Sequence, residues 1–277
     1  MKKNLLGIGI LLLAAGIAQG SGDFKEVRDL DANAVSATRM IVKCGAGSLK
    51  VTGVDGADRV RVKAVIVVEG MNKGDAEKYL QRRLELGLER RGEDVVLKSH
   101  FNGKSRSLLS IAHENARVDL DVTVPRGMQL HVKDGSGEIR ISGMEAGLDI
   151  RDGSGSMTIE KVAGNMDIDD GSGNILLRDT KGKLTLVDGS GSVEINSVRG
   201  DVNIRDGSGT LRIEGVTGKL QVRDGSGAII IRNVDGDVVI NDGSGDIDVA
   251  GVTRDLEIRE AGSGSVKIRD VSGNVTK

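Results

Sequence analysis

Seven aspartates, Asp134, Asp152, Asp170, Asp188, Asp206, Asp224 and Asp242, each open an Asp-Gly-Ser-Gly tetrapeptide, and successive copies lie 18 residues apart. A column of carboxylates and hydroxyls at one interval suggests calcium first. Calcium takes six to eight oxygen ligands. One Asp per copy, with a hydroxyl and carbonyls, is a thin set, and the repeat lacks the second aspartate of calcium-binding β-rolls. The column is the chain's calcium candidate, but a structural turn role is preferred and no metal site is assigned. Asp at the head of a Gly-rich turn accepts backbone N–H groups two residues on. Stacked at the strand spacing of about 4.8 Å, such carboxylates repel. Arg151, Arg205, Arg223 and Arg259, with Lys133, each precede the repeat's first position and are expected beside the column as offsetting bases. An anionic strip for a cationic partner is the remaining reading.

Nucleophilic chemistry fares worse. A serine hydrolase needs one Ser with a dedicated His and acid. Ser154, Ser172, Ser190 and their equivalents are interchangeable. His100, His113 and His131 show no metal-type spacing. Gly103-Lys104-Ser105 lacks the upstream glycine of a phosphate-binding loop. Cys44 is the only cysteine, so no intramolecular disulfide forms, and it reads as a small turn residue. No catalytic residue and no cofactor are expected.

The residues around each Asp say what carries it. Counting the Asp as position 1, positions 6 and 8 are aliphatic, as in Val193 and Ile195, and so are positions 15 and 17, as in Val202 and Ile204. Period-two alternation marks a strand with one buried face. Each repeat therefore holds two short strands. Asp-Gly-Ser-Gly makes one turn; the other centres on an inward valine at position 11 (Val162, Val198, Val216, Val234, Val252). One unit cannot bury these aliphatics alone, but parallel stacked copies can. The expected fold is all-β, a parallel β-solenoid of 18-residue rungs coiling right-handed. Aliphatics at 6, 8, 11, 15 and 17 do not fit a hexapeptide helix.

Outside the array, Lys2 and Lys3 precede the apolar run Leu5 to Ile17, and Ala18-Gln19-Gly20 fits a signal cleavage site. Residues 1–20 are expected to be a signal peptide. Losing its two lysines takes the formal charge from −2 to −4, which gives no reason to expect nucleic acid. No later stretch could span a bilayer, so the mature chain carries no transmembrane segment. Residues 21–63 read as an N-terminal strand and first rung. There Cys44-Gly45-Ala46-Gly47, Leu49, Val51 and Val54 match the repeat, and Val60 and Val62 stand for positions 15 and 17. Residues 64–115 interrupt with an apolar strand, a helix starting at Asn72 to Asp75, a hairpin turning at Arg91-Gly92-Glu93-Asp94, and a loop from Asn102. The helix and hairpin are expected to cap the stack against edge pairing. Residues 116–277 resume the solenoid. Ala261-Gly262-Ser263-Gly264 is an eighth turn displaced by one residue, and Val266, Ile268, Val271 and Val275 continue the core pattern.

A Gly-x-Gly rung, a helix–hairpin insertion, a strand ending in Pro125-Arg126-Gly127 and tandem Gly-Ser-Gly rungs together resemble the bacterial family of adhesin-like β-solenoids, an exported domain of unknown function. The likeness covers nearly all of the mature chain. It implies export or envelope association and no catalytic residue. Two function classes follow. One is a non-catalytic, periplasmic or cell-surface scaffold binding a protein or a surface polymer, or a second copy through the C-terminal rung. The other is a carbohydrate-active enzyme, a polysaccharide lyase or hydrolase. Sugar enzymes need stacking aromatics and paired carboxylates. Phe24, Tyr79 and Phe101 are the only aromatics, and all precede the array. The scaffold is preferred.

Overall fold

The computed structural model describes residues 15–16, 23–102 and 116–277, and the chain divides into two compact units, Met1–Glu138 and Ile139–Lys277. The signal peptide expected over 1–20 lies almost wholly outside the described residues, as do His113, Gly103-Lys104-Ser105 and most of the loop read from Asn102.

The second unit is a parallel β-solenoid. One sheet contains β10 (Ile139–Ser142), β12 (Met157–Glu160), β14 (Ile175–Lys181), β16 (Gly191–Arg199), β18 (Gly209–Thr217), β20 (Gly227–Asp235), β22 (Ile247–Val252) and β24 (Val266–Val271). The other contains β11 (Leu148–Asp152), β13 (Met166–Asp170), β15 (Leu184–Asp188), β17 (Val202–Asp206), β19 (Leu220–Asp224), β21 (Val238–Asp242), β23 (Leu256–Glu260) and β25 (Val275–Thr276). The strands pair in parallel with the strand one rung on, in 18-residue register (Val193 opposite Leu211, Val202 opposite Leu220) until the last rung, where β24 and β25 pair 19 residues on. The aliphatics at positions 6, 8, 11, 15 and 17 face inward. Ile195, Ile213 and Ile231 are fully buried, and so is Val198 at its corner. Each such side chain contributes about 1.5–3 kcal/mol relative to exposure, against an ordering cost of about 1–2 kcal/mol per residue.

Two backbone devices let rungs stack. The last glycine of each Asp-Gly-Ser-Gly has positive φ, 147° at Gly209, and a Cβ there would overlap the Gly191 carbonyl oxygen. Only glycine serves. Position 10 turns the chain before the inward corner and is left-handed in successive rungs. Lys161, Asp179, Ser197 and Asn233 hold φ between 53° and 62° there, alternating with Gly143, Gly215 and Gly251. The inward valine marks the corner at position 11, whereas residue types as different as Lys, Asp, Ser, Asn and Gly at position 10 hide the left-handed requirement from the sequence.

The first unit mixes rung and antiparallel layer. Its strands are β1 (Ala15–Gly16), β2 (Phe24–Asn33), β3 (Arg39–Cys44), β4 (Leu49–Val54), β5 (Arg59–Val68), β6 (Leu84–Arg91), β7 (Asp94–Phe101), β8 (Ala116–Pro125) and β9 (Gln129–Lys133), with helix α1 (Lys73–Arg83). Within it one sheet runs β1-β2-β5-β8-β4 and the other β9-β3-β7-β6. The β3–β4 pair flanks Cys44-Gly45-Ala46-Gly47 as a rung would. Val60 and Val62, however, do not form that rung's second strand. They begin β5, which is antiparallel to β2 and β8. Val60, Val62, Ala64, Ile66 and Val68 alternate as buried residues along this one strand, and its partners β2 and β8 set its direction.

The helix starts where the sequence places it. The Asn72 side chain accepts the Asp75 N–H at 3.0 Å, capping an exposed helix donor. Ala76 and Leu80 are its buried residues, and Tyr79 lies 5.8 Å from the Phe101 ring. The hairpin β6–β7 closes at Gly92, and β7 pairs in parallel with β3.

Candidate functional site: the buried aspartate column

Strands β13, β15, β17, β19 and β21 end on Asp170, Asp188, Asp206, Asp224 and Asp242, and β11 on Asp152. Alternate residues of a strand share a face. Met166, Ile168 and Asp170 therefore all point inward. In the second unit the six aspartates are in direct parallel register, Asp152 to Asp170 and onward to Asp242. All are buried, from 8% exposed at Asp152 to 0% at Asp242. The column is an internal ladder, not an exposed acidic strip.

The same alternation corrects the expected counter-charges. Arg151, Arg205, Arg223 and Lys133 sit one residue before an inward Asp and point outward, and Arg259, followed by Glu260, is exposed as well. Arg151 reaches Asp149 at 3.1 Å and Asp167 at 3.2 Å, and Arg259 reaches Glu257 at 3.0 Å. None offsets the ladder.

Backbone amides do part of that work. Asp206, Asp224 and Asp242 accept the N–H of Ser208, Ser226 and Ser244 at 3.2, 3.3 and 3.1 Å. At Asp170 and Asp188 no donor closes a well-formed hydrogen bond. The amides of Gly171 and Ser172 face Asp170, and those of Gly189 and Ser190 face Asp188, close enough to favour the ionised form in part. Burial outweighs them. The Asp170, Asp206 and Asp224 carboxyls are pushed up to about 6, first by desolvation and then by neighbouring aspartates. Asp188 and Asp242 are raised by burial as well. Desolvation and like charge both favour the neutral acid. A protonated carboxyl can then donate its O–H to an ionised neighbour. The column thus holds its protons to higher pH than free carboxylates do.

The first unit has a short counterpart. There β9 leads into Asp134, raised by burial and facing the Cys44 thiol as a hydrogen-bond donor. Cys44 occupies the Asp place in its rung, and Ser99, opposite it on β7, is also buried. At the other end Arg259 bulges out of register, pairing Asn241 with Glu260. Ala261 thus follows where an eighth aspartate would stand, and the column stops at Asp242.

The remaining sequence candidates do not converge. His100 contacts Glu85 at 3.2 Å on the hairpin, and His131 lies on β9. The motif serines occupy turns. Among the described residues no three His, Cys, Asp or Glu side chains are grouped to hold a metal. No described helix is long and apolar enough to cross a membrane.

Several solved structures are similar in fold. A cell-adhesion protein candidate from Clostridium sporogenes is 14% identical, with 89% of this chain and 98% of that chain covered and a TM-score of 0.28. An adhesin candidate from Parabacteroides merdae is 12% identical, with 90% and 95% covered and a TM-score of 0.47. A lipid-binding protein candidate from Parabacteroides distasonis is 15% identical, with 91% and 96% covered and a TM-score of 0.40. No curated protein matches. Residues 16–205, which include the first unit's rung and helix–hairpin and the first four Asp-Gly-Ser-Gly turns, match the family model described as Toastrack DUF4097. The chain belongs to the Toastrack DUF4097 family.

Proposed function

We propose that this protein is a non-catalytic, exported β-solenoid acting as a rigid scaffold and binding module of the cell envelope, periplasmic or at the surface. The observation that carries the reading is the placement of the repeated residues. The aspartates and aliphatics of every rung form the interior, so each rung presents only its outward side chains, in ladders, to a partner. The outward aspartates Asp149, Asp167 and Asp169 are not left as a separate carboxylate pair but surround Arg151 within 3.1–3.9 Å.

In this reading residues 1–20 are a leader, 21–63 an N-terminal strand and first rung, 64–115 a capping insertion and loop, and 116–277 the repeat array. Fractionation with N-terminal sequencing, followed by pull-down from native envelope fractions, tests it. An envelope-fraction chain starting near Ser21 that retains a partner is expected. A cytosolic chain starting at Met1, or an envelope chain that retains nothing, would defeat the proposal.

A second contact is proposed at the rung of β24 and β25. Val266, Ile268 and Val271 are half-buried there, and Val275 is 47% exposed. Open strand edges with apolar neighbours invite further pairing. Light scattering at micromolar concentration should show association that is lost on deleting residues from Ala261. A monomer unaffected by the deletion argues against it.

A further inference from the structure

The outward faces of the two sheets differ. On the β12–β24 sheet, charges are paired across rungs: Arg232 with Asp248 at 2.7 Å and Arg269 with Asp248 at 3.1 Å. On the other sheet Arg205 and Arg223 are direct neighbours on β17 and β19, both exposed. Neither has an ion-pair or hydrogen-bond partner among the described residues, although Arg151 and Arg259 on the same sheet do. Two guanidiniums one rung apart repel, and no carboxylate compensates them. Beside them runs an amide row, Asn203 opposite Gln221. Asn241 follows Arg223 in register. A groove of about 240 Å³ lies here, lined by Asn203, Gln221, Arg223, Val239, Asn241 and Arg259.

We propose that this face binds a carboxylated polysaccharide, with Arg205 and Arg223 holding its carboxylates and Asn203, Gln221 and Asn241 its hydroxyls. The guanidinium fork matches a carboxylate bidentately. Side-chain amides both donate and accept, as sugar hydroxyls do. A linear glycan laid along the stack meets an arginine and an amide on two successive rungs, Arg205 with Asn203 and Arg223 with Gln221, and Asn241 on the third, at a step of about 4.8 Å comparable with one sugar residue. No aromatic lies on this face, so recognition rests on charge and hydrogen bonding rather than stacking. A site spread over several rungs favours an extended polymer over a small molecule. The inference rests on the binding-module reading and gives it a ligand class.

The test measures binding of the mature chain to polygalacturonate, with dextran as the uncharged glycan and phosphatidylglycerol vesicles as the anionic membrane. Polygalacturonate should bind and dextran should not. Arg205→Gln with Arg223→Gln should weaken binding about 10- to 100-fold, the range for charged hydrogen bonds, with an unchanged circular-dichroism melt. Asn203→Ala with Gln221→Ala should weaken it about fivefold or more. Undiminished binding by either pair, or tighter binding to the vesicles, would overturn the site. Absent binding to polygalacturonate would do so too. If envelope pull-down still recovers a partner in any of these cases, the binding-module reading stands and only this site falls.

Discussion

Asp206→Asn is expected to stabilise the protein above pH 6 and to leave it unimproved near pH 4.5. Asp206 is 6% exposed and lies between Asp188 and Asp224. Its carboxyl is raised from 3.8 to about 6, a lift of about 3 kcal/mol in favour of the protonated form. The folded chain therefore binds more protons than the unfolded chain across this window. The associated stability is full below about pH 4 and is lost as pH rises through about 6. Asp170 and Asp224 titrate in the same range, and coupling makes the combined effect smaller than three independent shifts. Glu85, Asp94, Asp246, Asp248 and Glu257 are held below their ordinary values by partners. Their contributions are lost only as pH falls through those lower values, below the window of interest. Asparagine keeps the oxygen that accepts the Ser208 N–H and removes a buried charge. Asp206→Ala also removes the charge but loses that acceptor, so it should be about 0.5–2 kcal/mol less stable than Asp206→Asn at any pH. Urea denaturation midpoints between pH 4.5 and 7.5 measure both variants, read as midpoints because solenoids can unfold stepwise. A wild type that gains stability steadily from pH 4.5 to 7.5 would refute the reasoning. So would an Asp206→Asn variant weaker than wild type at pH 7.5.

Three further outcomes are expected. Lys161→Gly should stabilise by about 1 kcal/mol, because Lys161 holds φ at 54° where a Cβ is disfavoured; a lower midpoint would mean that the corner is not strained. Thr180 occupies an inward corner where five other rungs place valine, and it is 2% exposed with its Oγ1 unpartnered; Thr180→Val should therefore stabilise by about 1–2 kcal/mol, and a loss would reveal a hydrogen bond to solvent. Calcium at millimolar levels should leave the melting temperature unchanged. A rise reversed by EDTA and by Asp188→Asn would instead place the ion in the column through ligand linkage.

Local pattern sufficed wherever a residue's role depends on its neighbours in sequence. Alternation at positions 6, 8, 15 and 17 selected the buried aliphatics, because strand parity is a property of the chain itself. Asn72 and Gly92 marked the helix start and hairpin turn for the same reason. The inward aspartates were legible too, since position 1 lies two residues beyond position 17. Their polarity suggested a turn at the surface, and parity prevailed because β13 to β21 run on to the Asp. Other features belong to the stack alone. Val60 and Val62 look like rung residues, yet β5 pairs with β2 and β8, and pairing partners distant in sequence leave no mark on the strand. The raised carboxyls arise from charges one rung above and below and from lost water, so no single repeat contains their cause. Arg205 and Arg223 resemble Arg151 in position, but only the assembled sheet leaves the first two without carboxylates.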